Sequence, residues 1–136
     1  MSVPKETIEE IHKLVLEQTN DLWLIAAGLI AFQALLIAHL VYSLPAGARA
    51  KTVTRLVSAS TVSHALSLMF GYFAKGALIQ TMIGYSKSGI WAFDPITGWM
   101  NLLQMVFVTI GLAIFIFAFL AYSRILAEAV VKGAGK

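Results

Sequence analysis

The chain has 136 residues, of which 59% are hydrophobic and only 12% charged, and its mean hydropathy is +0.81. Soluble domains carry about a quarter charged residues, so this composition belongs to the membrane class. There is no cysteine, which excludes disulfides, thiolate metal sites and iron–sulfur ligation. The net charge is +3, yet the basic residues are scattered around the ends of hydrophobic runs and form no stripe interleaved with aromatics, so nucleic acid is not an expected partner.

Residues 1–21 predict an acidic, amphipathic surface helix. Ile8, Ile11, Val15 and Leu22 recur at helical spacing, while Glu6, Glu9, Glu10, Lys13 and Glu17 occupy the other side. A cleavable signal would need a basic start and a brief apolar core, so the apolar run that follows reads as a retained anchor.

Residues 22–136 predict an all-α membrane domain with three spans, at about 22–44, 56–75 and 100–123, and Thr19-Asn20-Asp21 offers capping side chains where the first begins. The first and third runs hold no charge, and the second none until Lys75. Each is long enough to cross a hydrocarbon layer about 30 Å thick at 1.5 Å per helical residue. In the first span Ala27, Ala31, Ala34 and Ala38 form a stripe of small residues, a surface that lets another helix approach closely. Pro45-Ala-Gly47 predicts a tight turn.

The second span is chemically unusual. Ser60, His64, Ser67, Gly71 and Lys75 lie at i, i+4, i+7, i+11 and i+15, on one face that cannot meet lipid without cost. Residues 77–84 predict a short interfacial helix, and an irregular loop bearing Trp91, Phe93 and Trp99 as interfacial anchors follows it. The third span carries Gln104, Gly111, Ala118 and Tyr122 along one stripe. With the Ser60–Gly71 face expected to pack on the Ala27–Ala38 stripe of the first span, the Gln104–Gly111–Ala118 face is left without a partner within the chain. Residues 124–132 read as a helical continuation, stopped by Gly133-Ala-Gly135.

Arg49, Lys51, Arg55, Arg124, Lys132 and Lys136 flank one side of the spans, against Lys5, Lys13, Lys75 and Lys87 on the other. By the positive-inside rule the N-terminus lies outside and the C-terminus in the cytoplasm.

Signatures of catalysis are missing. There is no His-Glu-x-x-His, phosphate loop, Gly-x-Ser-x-Gly or dinucleotide fingerprint, and no carboxylate falls inside a span. The chain is therefore expected to have no catalytic activity of its own. The sharpest constellation is His39 with His64, two imidazoles expected in the same half of the bilayer on antiparallel neighbours, where they would suit haem b or a metal ion. The plainer alternative is that each hydrogen-bonds across helices, with no cofactor, and that alternative is the expectation. Gln33 and Gln104 lie at different depths and are not expected to pair.

Three functions fit these features. The first is a small non-catalytic accessory subunit of a larger membrane complex, docked through the Ala27–Ala38 stripe, the Ser60–Gly71 face and the Gln104–Gly111–Ala118 face. The second is a homo-oligomeric pore or carrier lined by Ser60, His64 and Ser67. The third is a redox anchor in which His39 and His64 hold haem. The expected partners are the lipid bilayer and other membrane subunits or further copies of the chain.

Overall fold

The computed structural model describes residues 5–43, 48–90 and 94–134. It consists of three helices, α1 (Lys5–Ser43), α2 (Ala48–Ser88) and α3 (Pro95–Ala134), of 39, 41 and 40 residues. Each is therefore about 60 Å long, and each is long and apolar enough to cross a membrane. The helix α2 is central and packs most extensively on α3, less on α1, while the backbones of α1 and α3 hardly approach one another.

The helices are held together by faces that repeat every seven residues. On α1 the buried or half-buried positions Ile8, His12, Val15, Thr19, Leu22 and Ala26 alternate steps of four and three, and the pattern continues through Leu29, Gln33, Leu36 and Leu40. On α3 the same alternation runs from Thr97 through Gln104, Val108 and Gly111 to Ala118 and Ile125. A 3.5-residue period keeps one seam facing its neighbour along the whole length of a helix, as in left-handed supercoils. Being central, α2 has two flanks. Thr61, Leu68 and Lys75 meet α1, whereas Ser63 and Phe70 meet α3, Phe70 stacking on Phe107 at 5.3 Å.

Two expected boundaries are absent. The surface helix of residues 1–21 and the first span form one unbroken α1 from Lys5 onward. Thr19, expected to help start the span, instead donates its hydroxyl to the Val15 carbonyl one turn back, at 2.7 Å, and so stays within the helix. Likewise the interfacial helix expected over 77–84 is the continuation of α2 to Ser88, with no proline inside it to stop it.

The stop comes at Gly89, whose φ of 67° is open to glycine and whose N–H reaches the Tyr85 carbonyl at 2.8 Å, a left-handed C-terminal cap. The next helix then starts on Asp94. Its carboxylate accepts from the Ile96 N–H at 2.9 Å, and Pro95 takes the first helical position, where a missing N–H costs nothing. The Pro45–Gly47 turn, Trp91 and Phe93 lie outside the described residues. At the other end α3 includes the expected continuation over 124–132 and runs through Gly133 to Ala134.

Candidate functional site

About three-quarters of the way along α1, four polar side chains meet inside the bundle. Gln33 of α1 donates from Nε2 to Ser60 Oγ at 2.8 Å and stands 3.2 Å from His64 Nδ1. Thr61 Oγ1, with a single proton, lies 2.9 Å from both Gln33 Oε1 and the Val57 carbonyl. With the amide nitrogen placed toward the ring, His64 Nδ1 is assigned as the acceptor and Nε2 as the protonated nitrogen. Gln33, Ser60 and His64 are fully buried.

From this node three serines of α2 climb along α3. Ser60 donates to the Gly111 carbonyl (2.6 Å), Ser63 to that of Phe107 (2.8 Å) and Ser67 to that of Gln104 (3.0 Å). Hydroxyls on so short a stem reach a neighbouring backbone only if the two helices lie close. Glycines make that possible, in reciprocal fashion. The His64 ring fills the notch at Gly111, where an added Cβ would stand 2.8 Å from Cε1 and Nε2. Seven residues along, the Gln104 amide of α3 fills the notch at Gly71 of α2, where a Cβ would stand 2.6 Å from Nε2. Each helix thus offers one large polar knob and one glycine hole, an arrangement that sets a single register.

The interior differs at its two ends. Toward the start of α1, Gln104 Nε2 donates to the Thr19 carbonyl at 3.3 Å, and Asn101 Nδ2 stands 3.5 Å from Gln18 Oε1. Here Trp23 Nε1 donates to the Leu68 carbonyl at 2.9 Å, and Lys75 Nζ lies 5.0 Å from the centre of the same ring. Toward the other end, Leu36, Leu40, Val53, Val57 and Ala118 form an entirely apolar cluster.

The structure sorts the residues singled out from sequence into two groups. Ser60, His64, Ser67 and Gly71 share a buried face, as their spacing indicates. The Gln104–Gly111–Ala118 stripe, expected to lack a partner within the chain, is buried against α2. Ala27, Ala31, Ala34 and Ala38, expected to receive α2, are all exposed. The seam of α1 runs one residue away, through Ala26, Gln33 and Leu40, because the Gln33 amide needs the hydroxyls that α2 supplies.

His39 and His64 do not come together. His39 is exposed and packs edge-on against Tyr122, with ring centroids 6.1 Å apart, whereas His64 is level with Gln33 and Gly111. Six residues separate Gln33 from His39 on one helix and eleven separate Gly111 from Tyr122 on another, so the two imidazoles differ in depth by roughly 9–16 Å. Among the described residues no three metal-ligating side chains gather at one place. As expected, Gln33 and Gln104 serve separate nodes. Thr97 and Asn101 escaped the sequence reading, although they extend the Gln104 stripe by steps of four and three.

Compared with family models, with curated proteins and with solved structures, the chain matches none.

Proposed function

We propose that this chain is an integral membrane protein with its N-terminus outside and its C-terminus in the cytoplasm, and that it acts as a small non-catalytic subunit of a larger membrane complex. The membrane reading is supported by the three charge-poor runs, which the Gln33–His64–Gly111 node brings level with one another. The orientation is supported by the six basic residues that flank one end against four at the other.

The docking reading rests on one observation. The polar faces of α2 and α3 are consumed inside the bundle, and the small-residue stripe left on the surface is Ala27, Ala31, Ala34 and Ala38. At Gly28 beside it an added Cβ would meet nothing within 4 Å. Without a hydrophobic driving force between helices in lipid, association depends on close packing, and small residues permit it. The partner is another membrane-embedded helix, from a second copy or a different subunit. The N-terminal part of α1, with Ile11, Leu14 and Leu16 exposed beside acidic residues, offers a second contact outside the lipid.

The test is native mass after mild detergent extraction, with Ala31→Phe and Ala34→Phe beside Phe117→Leu as a lipid-facing control. Both bulky substitutions should displace a partner while membrane insertion is unchanged, and the control should keep it. A monomer throughout sinks the subunit reading. No cofactor belongs to this reading, so a Soret band that disappears in His64→Ala would replace it with the redox anchor.

A further inference from the structure

We propose that the α1–α3 seam is a one-sided crevice that binds water from the end where α1 begins down to His64, and that it stops there. This inference goes beyond the docking role and does not depend on it.

Three oxygens on one face of α3, Thr97 Oγ1, Asn101 Oδ1 and Gln104 Oε1, are buried and have no hydrogen-bond partner within the protein. Thr97 is 1% and Gln104 0% exposed, so bulk solvent does not satisfy them. Their spacing of four and three residues lines them up over about 10 Å. Deeper along the same interior, His64 Nε2 is also buried without a partner. A buried polar group left unmet costs about 1–3 kcal/mol, and bound water with two to four polar partners is the usual relief.

The packing points to one seam for such water. The hydrogen bonds between α2 and α3 are 2.6–3.0 Å long, whereas the amide-to-oxygen contacts that bridge α1 and α3 are 3.3 and 3.5 Å. Together with the scant backbone approach of α1 to α3, this makes their seam the loosest of the three. Between Gln104 and His64 the buried residues Ala26 of α1 and Ser67 of α2 are small. Beyond His64 the Leu36–Val57–Ala118 cluster offers no polar atom to hold a water. The ligand is therefore water. Its consequence is that the His64 ring exchanges protons with solvent on one side of the bundle only.

The chain has no cysteine, so single ones report without interference. Gln104→Cys, the near-isosteric Ser67→Cys, and Ala118→Cys are placed in bilayer vesicles. Each is exposed, from either side, to a small charged methanethiosulfonate, whose sulfenyl sulfur the cysteine thiolate attacks to form a mixed disulfide and release methanesulfinate, a reaction that needs water at the sulfur. Positions 104 and 67 should react from the side of the α1 N-terminus alone, and 118 from neither. An inert Ser67→Cys beside a reactive Lys87→Cys overturns the crevice, and reaction of Ala118→Cys from either side overturns its blind end. Solid-state NMR of the otherwise unsubstituted chain in bilayers decides if the cysteine variants do not fold. Magnetisation from water should reach the His64 ring nitrogens, identified by their loss in His64→Gln, and its absence refutes the proposal.

Discussion

At Gly111 a methyl group would stand 2.8 Å from two atoms of the His64 ring and 3.0 Å from a third. The ring cannot swing away freely, since Gln33 holds Nδ1 and both residues are fully buried. Overpacking of this kind costs about 1–3 kcal/mol. Gly111→Ala should therefore lower the midpoint of thermal unfolding in detergent, whereas Gly76→Ala, which meets nothing within 4 Å, should leave it level or raise it slightly. A double variant with His64→Ala removes the ring that the methyl strikes, so the two changes together should cost less than their sum. Strict additivity would mean that the ring does not occupy the notch. At Gly71 the nearest atoms are the end of a Gln104 amide and Trp23 Cδ1 at 2.9 Å, so Gly71→Ala should fall between these cases.

Along each helix the same seven-residue repeat governs what is legible in the sequence. The α2 face was legible because its polar residues are costly in lipid and repeat at one spacing. The partner face on α1 was not, because two stripes one residue apart, Ala27–Ala31–Ala34–Ala38 and Ala26–Gln33–Leu40, share nearly the same period. Small size marks a possible contact, but it was the hydrogen-bonding demand of Gln33 that chose between them. Helix ends followed a similar logic. Thr19, Asn20 and Asp21 cap a helix only where the backbone already breaks, and no glycine or proline breaks it there, whereas Asp94-Pro95 and Gly89 carry the break themselves. Asp94→Ala should thus cost about 1 kcal/mol through loss of the cap on Ile96 N–H. Hydrogen exchange of the 96–98 amides is the direct check, and protection unchanged from the parent would show that the carboxylate is not the cap.

For the whole molecule, helices about 60 Å long are twice the thickness of a hydrocarbon core of about 30 Å, so under the proposed membrane placement half of the bundle stands outside the lipid. Charges locate that half. Around the central node, α1 has no charge from Leu22 to the end of its described length at Ser43, and α3 none from Pro95 to Ser123. Sixteen residues of α1 precede Asp21, and on α2 Lys87 lies twelve residues past Lys75, about 18 Å further along the axis. The surplus therefore gathers mainly at the end where α1 begins, as a paired extension of α1 and α2 rather than a helix lying flat on the surface. Spin labels distinguish these shapes. Labels at Leu35 and Phe117, exposed on α1 and α3 near the central node, should be relaxed by oxygen, which concentrates in lipid. Labels at Glu10 and Lys87 should be relaxed by a water-soluble nickel chelate instead. Added to sealed vesicles, the chelate should reach both sites from the same side, since α1 and α2 run there together, and that side is the cell exterior if the positive-inside count holds. Oxygen contact at Glu10 would lay the N-terminal segment on the bilayer, and chelate contact at Leu35 and Phe117 would remove the bundle from the membrane altogether.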